Sequence, residues 1–268
     1  MNDFDTRLWD LVTAPSQRGM SQLRGALPSN LFTAAARALI GTSDPIVIGT
    51  GFPIGGPPET DGPPGAFAIH DALKRIGKSV RIASWQEAID IFGKVRPDIE
   101  YLRIPRQPLD EEIRLISNVS FVAIEICART IDGTYRDMRH RDISDIAPNF
   151  EDFFGTRALV AIGDGGNEFG LGELPPSFFD EWDVIPPASQ ADHIVPGMVS
   201  NFAAYALVAA IERECGAEDL LPKSEDHIDM IKGLVEHGCV DGLSAKREFK
   251  VDGYDLSYTQ NILKLLRD

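Results

Sequence analysis

The sequence has few cysteines and no long uncharged run of apolar residues. Its 268 residues include three cysteines, which are widely separated and form no C-x-x-C pair. This pattern indicates reduced thiols in a cytosol-like compartment rather than a disulfide-stabilised scaffold. The longest apolar run, at residues 202–211, is shorter than the roughly 20 residues that span a membrane. Because the first residues are acidic and unlike a signal peptide, we expect a cytoplasmic protein without a membrane partner.

Basic residues are also scarce relative to acidic ones. Lysine and arginine total 26 against 41 aspartates and glutamates, which gives a formal net charge of −15. A chain this acidic repels nucleic acid and anionic lipid, so we expect neither as a partner. The acidic excess instead permits carboxylate-rich sites that hold metal cations. The sequence also lacks the G-x-S-x-G and H-E-x-x-H motifs of serine hydrolases and zinc peptidases.

Short apolar segments alternate with segments of helical periodicity from residue 45 onward. Strands are predicted at residues 46–48, 80–83, 101–104, 121–127, 158–162 and 193–195, and helices at 66–76, 88–92, 109–117, 200–214 and 224–237. This alternation predicts parallel βαβ units and a three-layer α/β/α sandwich with a mostly parallel sheet.

The remaining segments extend this core at both ends. We expect an N-terminal helical segment over residues 1–44, the α/β core over 45–237, and a small α+β appendage over 238–268. Within the appendage we expect a short strand at 246–251, a turn at Asp252-Gly253 and a closing helix at 256–266. No long linker interrupts the chain, so we expect a single domain.

A loop rich in glycine and proline follows the first predicted strand. Residues 49–66 read GTGFPIGGPPETDGPPGA, with Glu59 and Asp61 embedded in them. Proline fixes backbone angles and glycine permits close approach, so such a loop can lie tightly against a ligand. Ligands of open α/β sheets bind beyond the carboxyl ends of the strands. The alternative is that Asp61 only caps the helix that follows.

A single carboxylate, Glu125, lies in the apolar segment FVAIEIC at residues 121–127. A buried carboxylate must be paired, bind a cation or stay protonated. Arg129 is a possible partner, and a structural pair is compatible with a functional role. Arg136, Arg139 and Arg141 follow. Their guanidinium groups fit recognition of carboxylate or phosphate, although a solvated basic loop is the alternative.

A second glycine-rich loop, GDGGNEFGLG at residues 163–172, follows the fifth predicted strand. It fails the dinucleotide pattern because Glu168 stands where G-x-G-x-x-G needs glycine, and it lacks the Gly-Lys-Ser/Thr ending of a Walker loop. Asp164, Asn167 and Glu168 are instead hard oxygen ligands of the kind that Mg²⁺ or Mn²⁺ prefers. A turn with local hydrogen bonds is the alternative. Because all these loops follow parallel strands, we expect one shared metal and anion site.

Several blocks of the sequence resemble the D-glutamate cyclase family, specifically its C-terminal, cyclase-like domain. The similarity spans about residue 45 to the end. The blocks are GFP at 51–53, PETDGPPGA at 58–66, Glu125 with Arg129 and the DG at 132–133, MRHRDI at 138–143, IGDGGNE at 162–168, VSN at 199–201, and the paired VDG at 240–242 and 251–253.

The resemblance implies a hydro-lyase that closes D-glutamate, or a related amino acid, to 5-oxo-D-proline with loss of water and with help from Mn²⁺ or Mg²⁺. The implied metal ligands are Glu59, Asp61, Asp164, Asn167 and Glu168. The implied catalytic residues are Glu125, Asp61 and Arg129, with Glu125 taking the ammonium proton. The implied substrate-binding residues are Arg139, Arg141, Asn201 and Thr60.

Two other functions fit the same residues. A carboxylate-bound metal beside arginines also serves a metal-dependent phosphohydrolase acting on a small phosphorylated metabolite. A non-catalytic binder of a small anion is the third interpretation, and it predicts thermal stabilisation by ligand without turnover. In each case the partner is a small anionic molecule, and a homo-oligomer remains open.

Overall fold

The computed structural model of the protein describes residues 3–14, 18–106 and 116–268. Six strands form its central sheet. They are β1 (Ile46–Thr50), β2 (Val80–Ser84), β3 (Tyr101–Arg103), β4 (Ser120–Ile124), β5 (Arg157–Gly163) and β6 (Gln190–Pro196). The order across the sheet is β3-β2-β1-β4-β5-β6, and every neighbouring pair is parallel. Chain order therefore reverses between β1 and β4.

Helices surround this sheet and confirm the predicted three-layer α/β/α fold. They are α1 (Asp3–Thr13), α2 (Leu31–Gly41), α3 (Pro63–Arg75), α4 (Gln86–Val95), α5 (Glu151–Phe154), α6 (Pro176–Trp182), α7 (Ser200–Cys215), α8 (Ser224–His237) and α9 (Leu256–Arg267), with a 3-10 helix at Met20–Gly25. Helices α2 and α3 both pack on α7. Helix α7 is alanine-rich because residues 200–211 are buried on every side.

The two central strands, β1 and β4, form where the sequence is apolar without alternation. Every residue of β1 is buried, and so are Phe121 to Ile124 of β4. Strands covered on both faces need such continuous apolar runs, because neither face meets water. Gly49 in β1 leaves room for aromatic rings, since a Cβ there would lie 2.8 Å from both Phe121 and Phe150.

The fourth strand ends earlier than the predicted 121–127. It stops at Ile124, and Glu125 takes a φ of 46°, in the left-handed region that ends a strand. The backbone N–H of Glu125 still donates to the carbonyl of Ile162 at 3.1 Å. Of the helix predicted at 109–117, residues 109–115 lie outside the described residues, and 116–117 are not helical.

The C-terminal segment adds a short hairpin and the last helix. Strands β7 (Lys250–Val251) and β8 (Tyr254–Asp255) pair antiparallel around the predicted Asp252-Gly253 turn. The predicted strand at 246–251 is therefore limited to its last two residues. In the described part of the chain, no helix has both the length and the apolar character that a membrane crossing needs. All three cysteines are free thiols.

Candidate functional site

A cavity of about 650 Å³ opens at the carboxyl ends of β1, β4 and β5. Its walls come from the loops that follow these three strands, from Arg18, and from the segment after α8. This is the edge at which chain order reverses between β1 and β4. Loops that leave such a reversal point diverge to opposite faces of the sheet, and the crevice between them is where ligands of open α/β sheets bind.

Six carboxylates gather at the floor of this cavity. Each belongs to a buried residue, and they come from four separate segments of the chain: Glu59, Asp61, Glu125, Asp164, Glu168 and Asp252. Three of them converge most closely, because Asp61, Glu125 and Asp164 each offer an oxygen within 4.8 Å of the others. The expected meeting of these distant carboxylates at one edge of the sheet is therefore observed.

Asp61 is held by the amino end of α7. One of its carboxylate oxygens accepts hydrogen bonds from the backbone N–H of Asn201 at 2.8 Å and of Gly62 at 2.9 Å, and the other from that of Ser200 at 2.7 Å. Asn201 returns the contact, since its side-chain oxygen accepts from the N–H groups of Gly62 and Gly65 at the start of α3. Each residue caps the other's helix, which locks Asp61 in place.

Glu125 is placed by backbone strain and by one hydroxyl. A positive φ is uncommon for a residue other than glycine, and it turns the Glu125 side chain toward the cavity at the end of β4. The Ser200 hydroxyl donates to Glu125 Oε2 at 2.6 Å. The backbone of Gly62 lies close to Glu125, because a Cβ at Gly62 would lie 2.7 Å from the Glu125 Cβ.

Glu168 shapes the loop that carries Asp164. Its two carboxylate oxygens accept hydrogen bonds from the backbone N–H groups of Asp164, Gly165 and Gly166, at 3.2, 2.7 and 2.7 Å. These local hydrogen bonds form a turn, which the sequence offered as the alternative to a metal-binding loop. The turn positions Asp164. One Asp164 oxygen, Oδ2, is buried and has no hydrogen-bond partner among the described residues.

Arg18 reaches the cluster from the segment before the 3-10 helix. Its guanidinium pairs with Asp164 Oδ1 and, at 2.6 Å, with Asp252 Oδ2 in the β7–β8 turn. Among the described residues it is the only cation in ion-pair contact with any of the six carboxylates. The cluster therefore carries far more acidic groups than basic ones.

Burial and mutual repulsion raise the pKa of several of these carboxyls. Loss of hydration, with the nearby charge of Asp252, raises the pKa of Asp61 to about 7, although three backbone N–H groups oppose the shift. Burial raises the pKa of Glu59 and of Glu125 well above the usual range, and neighbouring carboxylates add to it. Burial raises the pKa of Asp164 as well, although the Arg18 guanidinium works against the increase.

This arrangement fits a metal ion by the chemistry of its donors. The Asp61, Glu125 and Asp164 triad offers three carboxylate oxygens, the hard ligands of divalent cations. The partnerless Asp164 Oδ2 adds a second indication, since a buried acceptor without a donor is costly unless something binds it. The buried triad can therefore hold a metal ion.

The cavity rim combines arginine with apolar groups. Arg139 and Arg141, which the sequence predicted as substrate-binding residues, both line it. Arg141 pairs with Asp137 at 2.6 Å, whereas the Arg139 guanidinium has no hydrogen bond or ion pair within the described part of the chain. Met138 and Leu243 are exposed at the same rim. Asn167 and Glu59 also line the cavity.

Three predicted site residues have side chains that are engaged by protein groups outside the cavity. Arg129 does not pair with Glu125, because its guanidinium binds Asp152 at 2.8 Å and the Asn149 side chain at 2.6 Å. Thr60 donates its hydroxyl to the Lys250 carbonyl at 2.7 Å. Asn201 is engaged as the cap of α3. None of the three lines the cavity.

The structure adds two charged residues that the sequence interpretation missed. Arg18 lies in a segment without any recognisable motif, so nothing local pointed to it. Asp252 had a signal, because it belongs to the second VDG block and to a predicted Asp-Gly turn. The first VDG block lies against the same carboxylates, because a Cβ at Gly242 would overlap the Glu59 carboxylate.

Comparison with known proteins places this chain in a family. The model of the family described as "D-glutamate cyclase-like, C-terminal" matches residues 10–267. The match begins well before residue 45, so it includes the helices and Arg18 that precede the sheet. The chain is similar to human mitochondrial D-glutamate cyclase, with 28% identity over an alignment of 236 residues that covers 74% of this chain. The chain aligns with 36% of the human protein's length. With a family match over nearly the whole chain, this protein belongs to the D-glutamate cyclase-like C-terminal family.

Proposed function

We propose that this chain closes D-glutamate, or a closely related acidic amino acid, to 5-oxo-D-proline and water with the help of Mn²⁺ or Mg²⁺. The observation that carries the proposal is the cavity itself. Its floor holds a triad of carboxylates able to bind a dication, and its rim offers an arginine whose guanidinium is not engaged. An amino acid with two carboxylates needs both features. The name of the human relative, a D-glutamate cyclase, supports the same substrate.

The reaction requires a poor electrophile to accept an amine. The γ-carboxylate of glutamate resists attack, because the attack builds negative charge on its oxygens. A divalent ion held by Asp61, Glu125 and Asp164 would supply Lewis-acid polarisation of that carboxylate. Asp61 and Asp164 lie below the cavity surface, whereas Glu125 lines the cavity, so this site lies at the boundary between the floor and the substrate space.

The residues of the rim orient the substrate for ring closure. We assign the α-carboxylate to Arg139, because a guanidinium binds a carboxylate through two parallel hydrogen bonds. This contact leaves the amine and the γ-carboxylate directed toward the floor. Holding both ends of one molecule converts the attack into a favourable intramolecular step.

Two protons must move during the reaction. The substrate ammonium has three hydrogens, of which one stays on the ring nitrogen and two leave on the γ-oxygen as water. We assign this transfer to Glu59 rather than to Glu125, since the triad geometry gives Glu125 to the ion. Glu59 lines the cavity, and its raised pKa suits a group that both takes and returns a proton.

The proposal is tested by incubating the metal-stripped protein with D-glutamate, with and without Mn²⁺, and measuring 5-oxo-D-proline by chiral chromatography. We expect Mn²⁺-dependent product from the wild type. Asp164→Asn should lower kcat at least about a hundredfold, because it removes a ligand charge from the ion. Asp192→Asn is the matched control: Asp192 is an exposed residue of β6, paired with Arg157, and its variant should keep full activity.

Parallel assays separate the other functions. Hydrolysis of a phosphomonoester in place of cyclisation would identify a phosphohydrolase, and stabilisation by D-glutamate without product would identify a binder. Either result, or full activity of Asp164→Asn, would contradict the proposal.

A further inference from the structure

One arginine is positioned where a dication would also bind. The six buried carboxylates of the floor have one ion-pair partner among the described residues, Arg18. The Arg18 side chain is 28% exposed, whereas that of Asp164 is fully buried. A guanidinium between buried carboxylates repays part of their desolvation cost.

The guanidinium shares a ligand with the candidate metal site. It pairs with Asp164, which belongs to the triad, and with Asp252, which does not. Its charge also acts on Glu125, another member of the triad. A dication bound to the triad would therefore lie close to a fixed positive charge, and the two cations would repel each other across a poorly hydrated space.

The same ion pairs join three parts of the chain. Arg18 comes from the N-terminal segment, Asp164 from the loop after β5, and Asp252 from the β7–β8 turn. Asp252 is itself fixed, because Asp241 accepts a hydrogen bond from the N–H of the following Gly253 at 2.6 Å. Arg18 is thus held in place by the fold rather than left at the end of a free side chain.

We propose that Arg18 is the resident counter-ion of the carboxylate cluster and sets its affinity for the divalent ion. Without metal, the guanidinium neutralises Asp164 and Asp252 and stabilises the fold. With metal, the same charge weakens binding of the ion. Arg18 is a positioning residue, since both of its carboxylate partners are protein groups and it does not need to touch the substrate. The inference rests on the metal site of the proposed function.

The test is calorimetric titration of Mn²⁺ into the metal-stripped full chain, together with its melting temperature in the absence of metal. For Arg18→Gln we expect a Kd for Mn²⁺ that is about tenfold tighter, because a repelling unit charge is removed. We also expect the metal-free protein to melt at a lower temperature than the wild type. A merely structural role would lower the melting temperature without tightening Mn²⁺ binding.

Two further variants make the result specific. Arg18→Lys keeps the charge but loses the fork that binds two carboxylates, so its Kd should fall between those of the wild type and Arg18→Gln. Arg157→Gln is the matched control. Arg157 also pairs with two carboxylates, Asp192 and Glu173, but lies outside the cavity, and its variant should bind Mn²⁺ as the wild type does.

The outcomes separate this inference from the proposed function. If the wild type binds Mn²⁺ but Arg18→Gln binds it equally or more weakly, the counter-ion role is overturned and the metal site stands. If Arg18→Gln does not fold, weaker binding by Arg18→Lys overturns the role in the same way. If neither the wild type nor the Arg18 variants bind Mn²⁺, the metal site fails and the inference fails with it.

Discussion

Among the single residues, Glu125 shows how an apolar strand can end in a carboxylate that belongs to the site. The carboxylate follows four buried apolar residues, so folding removes it from water. Its positive φ ends β4 and directs the side chain toward the cavity, at a cost of roughly 1 kcal/mol or more. The Ser200 hydroxyl then fixes one of its oxygens. Strain of this kind persists only where the surrounding structure enforces it.

Ser200 is the most direct residue-scale test of this positioning. Removing its hydroxyl in Ser200→Ala should weaken Mn²⁺ binding by about 10- to 100-fold, because groups that orient metal ligands contribute about that much. Calorimetric titration of the metal-stripped protein measures the change.

Ser189→Ala is the matched control for that experiment. Ser189 is also buried, and its hydroxyl accepts a hydrogen bond from the N–H of Gly170 at 2.9 Å. It does not line the cavity, so its loss should lower stability and leave the Mn²⁺ affinity unchanged. Equal Mn²⁺ affinity in the two variants would show that Ser200 does not orient a metal ligand.

The residue scale also shows where reasoning from spacing fails. Arg129 lies four positions after Glu125, and the sequence offered it as a possible partner. Side chains four positions apart meet on a helix, whereas extended backbone separates them by about 13 Å. Arg129 follows the end of a strand, and it pairs with Asp152 instead. The burial of Glu125, in contrast, could be predicted, since it follows from the apolar residues beside it in the sequence.

At the scale of elements, two helix ends and two loops are fastened together by crossed caps. Asp61 accepts from the first turn of α7, and Asn201 accepts from the first turn of α3. The alternative that Asp61 caps the helix following it is therefore not what the structure shows. Its partner helix is more than a hundred residues away in the chain, so spacing within the sequence could not reveal it.

Gly62, at the start of α3, lies in close contact with Glu125 and with the end of β1. It has a φ of 92°, and an added Cβ would lie 2.7 Å from the Glu125 Cβ and 2.9 Å from the Thr50 hydroxyl. Gly62→Ala should therefore lower the free energy of unfolding by about 2–4 kcal/mol, which combines backbone strain with a steric clash. Denaturation in urea measures this value.

Gly77 provides the comparison for that substitution. It also has a positive φ, of 85°, but an added Cβ would meet open space. Gly77→Ala should cost about 1 kcal/mol, since only the backbone term remains. Similar losses of unfolding free energy in the two variants would mean that the structure around Gly62 relaxes easily. Gly62 would then not restrict the position of Glu125.

Most elements of the sheet follow from local sequence, whereas their ends depend on distant contacts. Short apolar segments alternating with helical ones predicted all six strands near their observed positions. The central strands β1 and β4 gave the clearest pattern, because strands covered on both faces need continuous apolar runs. The short β7 strand was overestimated, since only Lys250 and Val251 find a partner, in Tyr254 and Asp255. Pairing, rather than propensity, decides where so short a strand ends.

In the molecule as a whole, the site forms because the carboxyl ends of the parallel strands lie at the same edge of the sheet. The rule that their carboxyl ends share one edge was enough to predict that Asp61, Glu125 and Asp164 would meet. It could not predict Arg18 or Asp252, which come from segments outside the sheet. Those two positions depend on how the chain's first and last parts pack around the core.

Because several buried carboxyl groups lie together at the cavity floor, the stability of the whole protein depends on pH. The pKa of Asp61 is raised to about 7 in the folded state, so the folded protein holds a proton that the unfolded chain has lost. That contribution is complete at pH values below about 4 and is lost as the pH rises through about 7. Burial raises the pKa of Glu59, Glu125 and Asp164 in the same direction.

We therefore expect the ionisation of Asp61 to cost the metal-free protein about 1 kcal/mol of stability in total between pH 6.5 and 8.5, most of it below pH 7.5. The buried His227, whose pKa is lowered to about 3, affects stability only below this window. Mn²⁺ should abolish the loss, because the ion favours the ionised carboxylates. Melting temperatures across the window, with and without Mn²⁺, measure the effect. Stability that rises with pH in the absence of metal would contradict it.

In the metal site that we propose, carboxylates from three loops bind one divalent ion at the floor of the cavity. Crystals of the protein soaked in Mn²⁺ and measured at the manganese absorption edge test it directly. We predict one anomalous peak within coordination distance of Asp61, Glu125 and Asp164, about 2.0–2.2 Å from their oxygens. Full Mn²⁺ soaking that leaves no peak at this triad, or places manganese only elsewhere on the molecule, would show that these carboxylates do not form the metal site.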